Sequence, residues 1–318
     1  MSHLVESMAY VGEMPWHGLG NPLERGQSLD VWAEQSGLNW EINKSPVLFD
    51  KGSSNRIHEI GAFEDKSVLY RSDTGAPLSV VSQRYNVVQP REILEFYRDL
   101  TEVSGFELET AGVLKGGKKI WALARTGQSA SLKGNDVTKG YVLLATACDG
   151  SMATTAQFTS VRVVCNNTLA VSLFQEKGSA VKVPHSTQFD AKAVKKSLGI
   201  SVSAWDDFMY QMKVLSERPV SGREVRNFYH SVFSTKNVDG KTNERSMAKA
   251  MSLFEGNGRG SQLASSKNTA FGLLNSVTEF IDHEKRAQSS GHRMDSAWFG
   301  HGANTKSKAL DQALLLVA

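Results

Sequence analysis

Basic and aromatic side chains are interleaved in the middle of the chain. The basic residues are Lys115, Lys118, Lys119, Arg125, Lys133, Lys139 and Arg162, and the aromatic residues are Trp121, Tyr141 and Phe158. Cations neutralise phosphates, and aromatic rings stack on unpaired bases. The pattern is therefore typical of a surface that binds single-stranded nucleic acid. The alternative is that the lysines solvate turns and the aromatic rings fill the core.

The distribution of charge supports the first interpretation. The formal net charge is only +3, but residues 1–105 carry 9 basic and 15 acidic side chains, residues 106–200 carry 12 and 6, and residues 201–318 carry 15 and 12. The opposite net charges of the first two segments also suggest head-to-tail attraction between copies. For DNA binding we expect phosphate contacts from Lys115, Lys118, Lys119, Arg125, Lys139 and Arg162, and base stacking by Trp121 and Tyr141.

Two patterns resemble enzyme sites without completing them. The glycine-rich segment Glu255–Ser261 lacks the Gly-Lys-Ser/Thr ending of a phosphate loop and follows a predicted helix. Cys165 is a candidate nucleophile, but it lies in an alternating apolar run, where free cysteine packs as a small hydrophobe. We therefore expect no enzyme activity and no cofactor.

Histidines near the C-terminus are the third candidate for chemistry. His283, His292 and His301 recur at nine-residue intervals, which does not place them on one face of a helix. Surface and helix-end histidines explain them more simply, so we expect no metal site. A metal-dependent enzyme that uses Asp282, His283 and Glu284 stays open as an alternative.

Two β-hairpins are predicted to position the basic residues. The first pairs Phe106–Leu114 with Lys118–Thr126 around Gly116-Gly117, and the second pairs Tyr141–Cys148 with Ser151–Ser160 around Asp149-Gly150. Gly-Gly and Asp-Gly between β-prone runs are turn signals.

The segment after these hairpins carries two further expectations. Thr154–Thr159 is polar and β-prone, as expected for a strand with one solvated face or for an exposed edge that pairs with another protomer. A helix is expected from Asn166 to about Gln175.

The rest of the chain separates a β-rich first half from a helical second half. Residues 1–26 are rich in structure breakers and predict irregular structure. Before the hairpins we expect a helix from Leu29 to about Gly37, a second helix starting at Pro90, and strands at 40–49, 56–63, 67–71 and 78–82. Near the end we expect helices at 190–216, 221–233, 244–255, 268–288 and 304–316. The fold class is α+β, with a β-rich domain at 1–189 and a mostly α-helical region at 190–318.

Bulk features predict a cytoplasmic protein without membrane contact. No run of about 18 apolar residues is present, and the first residues lack the basic and apolar regions of a secretory signal. Two cysteines without a CxxC spacing fit a reducing compartment.

Several segments together resemble one protein family. They are Pro15–Gly20, Tyr85–Pro90, Thr110–Leu114, Cys148–Ser151, Arg162–Leu169, Asn275–His283 and Ser296–Gly300. The combination resembles the phage/plasmid-like protein family, a group of unknown function spread by lateral transfer among phages, plasmids and bacterial islands. The resemblance covers about residues 4–316 and brings no catalytic residues with it. It implies a context of DNA replication, recombination or anti-defence.

The predicted order of hairpin strands and a following helix is also similar to the β-β-β-α core of single-strand annealing proteins. Those proteins form rings or filaments and bind DNA along a basic groove, although no residue-level motif is shared. We therefore expect a homo-oligomeric protein of phage or plasmid DNA metabolism that binds, and in recombination anneals, single-stranded DNA. A protein-interaction module, such as a host-defence antagonist that uses the helical half and the acidic first third, is the main alternative.

Overall fold

The computed structural model describes residues 5–12, 19–54, 57–104, 106–164, 167–170, 180–198, 201–234 and 243–318. Within these ranges the chain has an α+β fold. The described strands are β1 (Val5–Val11), β2 (Asn21–Leu23), β3 (Ile42–Ser54), β4 (Ile57–Arg71), β5 (Pro77–Ser82), β6 (Glu107–Leu114), β7 (Lys119–Leu132), β8 (Asp136–Ala147), β9 (Thr154–Arg162), β10 (Asn167–Ala170) and β11 (Ala180–Val183).

Helices precede and follow the main strands. The described helices are α1 (Leu29–Gln35), α2 (Pro90–Ser104), α3 (Ala191–Leu198), α4 (Ser201–Glu217), α5 (Gly222–Phe233), α6 (Glu244–Ser252), α7 (Ala270–Glu279), α8 (Ser290–Phe299) and α9 (His301–Leu314). None of these helices is long and apolar enough to cross a membrane.

The main sheet has the strand order β10-β9-β8-β7-β6-β1-β2, with β11 also paired to β9. The β6–β7 hairpin turns through Gly116 and Gly117, which have φ of 67° and 98°, and the β8–β9 turn contains Gly150 with φ of 75°. Glycine adopts this left-handed backbone without a steric penalty. Both predicted hairpins are confirmed; β7 and β8 are longer than expected, whereas β6 and β9 are each one residue shorter.

Alternating side chains give this sheet two buried faces. Ala122 and Ala124 of β7 belong to a large core cluster that also contains Ile93 of α2 and Leu310 of α9. Trp121 and Leu123 of the same strand belong to a smaller cluster together with residues of α8. The sheet is therefore covered by helices on both sides of its centre.

The strand β9 has one apolar and one polar face. Ala156 and Phe158 are buried in the core, whereas Thr155 and Gln157 are only half-buried. The expected alternation of apolar and polar side chains is present, but the polar face is only partly exposed, because Thr159 on it is buried. The alternative of an exposed edge is wrong, because β9 pairs with β8 on one side and with β10 and β11 on the other.

A smaller sheet, β3-β4-β5, carries a projecting hairpin. The edge strand β5 pairs only with Lys66–Tyr70 of β4, and a bulge at Glu64–Lys66 interrupts the pairing of β4 with β3. Beyond the bulge, β3 and β4 continue as a two-stranded hairpin. We call the segment from Val47 to Phe63 the arm.

Helix α7 lies at the centre of the helical part. It packs against α4, α6, α9 and strand β10. Thr269 caps it by accepting a hydrogen bond from the Gly272 N–H at 3.1 Å. One core cluster includes residues of the main sheet and of these helices. The division at residue 190 stays a prediction.

Three sequence predictions about secondary structure are wrong. Asn167–Ala170 form β10, antiparallel to Thr159–Arg162, rather than the start of a helix; residues 171–175 lie outside the described ranges. The segment 1–26, predicted to be irregular, contains β1 and β2. Strand β1 pairs with β6 on one side and with β2 on the other, so it extends the main sheet. The strands expected at 56–63 and 67–71 are one strand, β4, with a bulge between them.

The helices expected at 221–233, 244–255 and 304–316 are confirmed, and the segment expected as one helix at 190–216 contains two, α3 and α4. The helix expected at 268–288 ends at Glu284, and a further helix, α8, begins after Ser289. The Ser289 hydroxyl caps α8 by accepting from the His292 N–H at 3.3 Å. Helix α8 was not predicted, because its apolar residues are few and do not show a clear helical period.

Candidate nucleic-acid interface

Arg162 lies at the end of β9 and is only 4% exposed. Its guanidinium donates to both carboxylate oxygens of Asp136, with Nε and Nη2 each at 2.7 Å, and Nη2 also donates to Ser266 Oγ at 2.8 Å. The pair joins neighbouring strands and fixes the loop before α7. This corrects the expectation that Arg162 faces solvent, because its charge is neutralised inside the protein.

Lys115 and Lys119 of the first hairpin share one carboxylate. Both donate to Asp295 of α8, Lys115 at 2.8 Å. Lys119 is buried, and its Nζ lies 5.0 Å from the centroid of the Phe299 ring. Burial alone would raise the pKa of Asp295, but the two lysines outweigh it and lower that pKa. These lysines therefore fasten α8 to the hairpin.

Arg125 and Tyr141 belong to a third neutralised cluster. Arg125 forms ion pairs with Glu107 and Glu109, and the Tyr141 hydroxyl donates to Glu109 at 2.9 Å. Burial raises the pKa of Glu109, against the effect of Tyr141, Arg125 and the half-buried Lys139. Tyr141 is 3% exposed, so its ring is not available to a base in this conformation.

Trp121 and the two remaining lysines of this region do not form a stacking site either. Trp121 is fully buried, with its ring 5.0 Å from that of Trp298. The Lys133 Nζ donates to the Ser216 carbonyl at 2.6 Å, and Lys118 is half-buried. The expected groove of cations and accessible rings is therefore replaced by ion pairs and core packing.

Exposed lysines gather elsewhere, around strand β11 and helix α3. Lys182 lies on β11, and Lys192 and Lys196 lie one turn apart on α3, which packs against β9 and β11. All three are exposed, and none forms an ion pair within the described ranges. We call them the edge lysines. Among the described residues, no carboxylate forms an ion pair with these three positive charges of the middle third.

The spacing of the α3 lysines was a signal in the sequence. Residues 192, 195 and 196 are at i, i+3 and i+4 of a predicted helix, which places them on one side. Lys195 of this set packs with its Nζ 5.3 Å from the centroid of the Phe96 ring.

Asp282, the centre of the metal alternative, is buried and ion-paired. Lys306 Nζ donates to Asp282 Oδ1 and to Thr168 Oγ1, each at 2.8 Å, and the Thr168 N–H donates to Asp282 Oδ2 at 2.7 Å. Burial lowers the pKa of Lys306, and Asp282 opposes that effect. Glu284 pairs with Lys249 at 3.0 Å. In the part of the chain that the structure describes, no three His, Cys, Asp or Glu side chains come together to hold a metal.

The glycine-rich loop after α6 docks on a carboxylate. The Arg259 N–H donates to both oxygens of Glu279 at 3.0 Å. Burial raises the pKa of Glu279, against the effect of Arg259. A Cβ on Gly258 would lie 2.6 Å from the Leu253 carbonyl oxygen, so the loop needs glycine for close packing. The Arg259 N–H, which a bound phosphate would need as a donor, is therefore already hydrogen-bonded to the Glu279 carboxylate.

The structure describes one of the two cysteines, Cys148, and it is not suited to nucleophilic catalysis. Cys148 is buried, and burial together with Asp149 raises its pKa to about 12. Such a thiol is a poor nucleophile at neutral pH. Cys165 lies outside the described residues. Asp149 accepts from the Ser151 N–H at 3.0 Å, which is a turn role.

Several of the segments that carry the family resemblance contact one another or neighbouring strands. Asn167 Nδ2 donates to Thr278 Oγ1 at 3.1 Å, next to the contact between Thr168 and Asp282. The Tyr85 hydroxyl donates to the Ala147 carbonyl at 3.0 Å, beside Cys148. These segments therefore connect the sheet to the C-terminal helices and to the loop before α2.

The comparison with protein families matches the same part of the chain. The sequence model described as Domain of unknown function (DUF932) matches residues 77–298. The chain belongs to this family. The DUF932 match begins at β5 and ends within α8, so it includes the ion pairs of Arg162, of Lys115 and Lys119 and of Arg125, as well as the edge lysines. No curated protein and no solved structure matches the chain. The resemblance implied a family of unknown function, and this is confirmed. A phage or plasmid origin stays a prediction.

Proposed function

We propose that this DUF932 protein binds single-stranded nucleic acid through its edge lysines, as an oligomeric DNA-binding or annealing protein of phage or plasmid DNA metabolism. The observation that supports this proposal is that Lys182, Lys192 and Lys196, on β11 and on the helix that packs against it, are exposed and form no ion pair within the described ranges. Exposed lysines without carboxylate partners bind phosphates as point charges.

The proposal predicts contacts to the backbone of the nucleic acid and few contacts to its bases. Trp121 and Tyr141 are buried, so base stacking on them contributes nothing in this conformation. Binding should then be insensitive to sequence and steeply dependent on salt. With about 0.7 counterions released per phosphate contact on a single strand, three lysines give a slope of log K against log salt of about −2.

The test is a titration of fluorescently labelled oligonucleotides followed by anisotropy. Single-stranded and double-stranded oligonucleotides of mixed sequence are measured at several salt concentrations. We expect binding to the single strand with the slope given above. Absence of binding at low salt, or tight binding that ignores salt, contradicts the proposal.

A protein-interaction module is a second candidate, and the arm favours it. Leu48, Phe49, Ile60 and Phe63 are each about half exposed there, and large exposed apolar side chains in one place are typical of protein interfaces. Co-purification of a host protein without nucleic acid supports this candidate. A raised ratio of absorbance at 260 nm to that at 280 nm supports the first.

A further inference from the structure

The arm exposes apolar side chains on both of its faces. Val47 lies opposite Phe63, and Leu48 lies opposite Ala62 on the next pair of the ladder. Because directly opposed residues share a face and successive pairs alternate, Phe63 is on one face and Leu48 is on the other. Phe63 is 49% exposed and Leu48 is 62% exposed.

A hairpin of this kind is poorly stabilised by itself. A two-stranded hairpin is at best marginally stable in water unless a face packs against something. In the described ranges no third strand pairs with the arm, since β5 reaches only Lys66. The arm therefore gains stability from a partner that covers it, and a concave partner covers more of a two-faced hairpin than a flat one.

The same chain has a concave surface of suitable size. A cleft of about 460 Å³ lies between the loop after β2, helices α1 and α2 and strand β6. Its apolar lining comes from Val11, Leu29, Trp32 and Leu108, and polar and charged side chains line the rest. Clefts of about 300–1,000 Å³ accommodate ligands of the size of one or two aromatic groups.

The charges of the cleft and of the arm are complementary. Arg25 and Arg98 line the cleft and are exposed, although Arg98 also pairs with Glu95 of α2 at 3.2 Å and the charge of Arg25 acts on Glu109. Glu107, which lines it as well, is ion-paired with Arg125. On the arm side, Phe63 is followed directly by Glu64 and Asp65, which are exposed and form no ion pair within the described ranges. If the Phe63 ring entered the cleft, the carboxylates of Glu64 and Asp65 would lie next to the arginines that line the cleft.

Strand pairing between copies through the edge of β3 is disfavoured. Pro46 has no N–H to donate, and Lys44 lies two residues before it. Proline and lysine on an edge strand are features that block edge-to-edge pairing. Association of the arm is thus expected through its side chains.

We propose that the arm of one copy inserts Phe63 into the Arg25–Arg98 cleft of a second copy, with Glu64 and Asp65 facing the two arginines. Donor and acceptor surfaces differ, so the contact is heterologous and successive copies form a ring or a filament. The interaction is independent of the nucleic-acid proposal, since no edge lysine takes part in it.

The test uses two charge-reversal variants of the full chain. One carries Glu64→Lys and Asp65→Lys, and the other carries Arg25→Glu and Arg98→Glu. Mass is measured in solution by light scattering over a range of protein concentrations. We expect the wild-type protein to self-associate, each variant alone to associate at least tenfold more weakly, and an equal mixture of the two variants to recover association.

Controls separate this interface from loss of folding and from general apolar contact. Far-UV circular dichroism checks that both variants keep wild-type secondary structure. Tyr210→Asp removes an exposed aromatic residue of α4 outside the arm and should leave association unchanged. A wild-type monomer at every concentration, a mixture that stays monomeric, or an arm that binds only another protein overturns the proposal. Because recovery needs both variants to be folded, misfolding cannot imitate the expected result.

Discussion

Arg162 binds Asp136 through two parallel hydrogen bonds of 2.7 Å, and neither side chain is more than 4% exposed. Arginine suits this geometry, because its planar guanidinium matches both oxygens of a carboxylate. The pair sits where the sheet meets the loop before α7. A residue that the sequence suggested as a phosphate contact therefore connects two parts of the fold.

Removing the arginine should destabilise the protein strongly. Arg162→Met leaves Asp136 buried and unpaired, which costs about 3–5 kcal/mol for a buried pair that loses one partner. The measurement is the free energy of unfolding in urea. Lys51→Met is the control, since the Lys51–Glu59 pair is exposed and its loss should cost less than about 1 kcal/mol. Similar values for the two variants would show that Arg162 is not held as described.

Two glycine substitutions test the docking of the loop before α7. A Cβ on Gly272 would lie 2.0 Å from the Ser266 carbonyl oxygen, so Gly272→Ala should destabilise by about 1–3 kcal/mol or more. A Cβ on Gly222, the first residue of α5, has only Arg226 Nη1 near it, at 3.8 Å. Gly222→Ala should change stability by less than about 1 kcal/mol, in the stabilising direction. Thermal melting of the pair checks this, and equal melting temperatures would refute the close contact.

The capping box of α5 should give a pH-dependent contribution to stability. Hydrogen bonds from the Ser221 backbone and hydroxyl, followed by that from Arg218, lower the pKa of Glu224 from 4.5 to about 2. The folded state favours the ionised carboxylate, so this contribution is complete above pH 4.5 and is lost as the pH falls towards 2. Glu224→Gln imitates the protonated form. We expect its melting temperature to lie below that of the wild type at pH 7 and the gap to narrow as the pH falls from 4.5 towards 2; a gap that does not change with pH speaks against it.

Cys148 should resist alkylation in the folded protein. With a pKa of about 12, its thiol is almost entirely protonated at pH 8, and its side chain is buried. Iodoacetamide at pH 8 followed by peptide mass spectrometry should find Cys148 unmodified in native protein and modified in urea. Mapping by peptide keeps Cys165 separate. Rapid native labelling of Cys148 would contradict its position in the core.

Local patterns predicted the hairpins, the helix after Ser28 and most of the C-terminal helices, because each depends on residues close in sequence. The glycines at 116, 117 and 150 determine their turns by backbone conformation alone. In the same way, the alternation along β9 predicted its one polar face.

The wrong predictions concern side chains and segments whose environment is set by partners distant in sequence. Nothing near Lys119 in sequence shows that Asp295 will bind it, and nothing near Thr168 shows that Asp282 and Lys306 will. For that reason the cations of the hairpins were predicted as a surface, and Asn167–Ala170 as a helix. The spacing of the α3 lysines indicated a basic helix face. The hairpins were nevertheless predicted as the binding surface, because their interleaved aromatic residues matched the pattern of single-strand binding more closely.

The central claim is that the edge lysines bind phosphate, and salt-dependent binding of a labelled single strand tests it directly. One variant carries Lys182→Gln, Lys192→Gln and Lys196→Gln; the matched control carries Lys213→Gln, Arg245→Gln and Lys267→Gln, which are exposed cations outside β11 and α3, and loses the same number of charges. We predict that the slope of log K against log salt falls from about −2 towards zero in the first variant and stays near the wild-type value in the control. Equal loss in both variants, or retention in both, would contradict the claim.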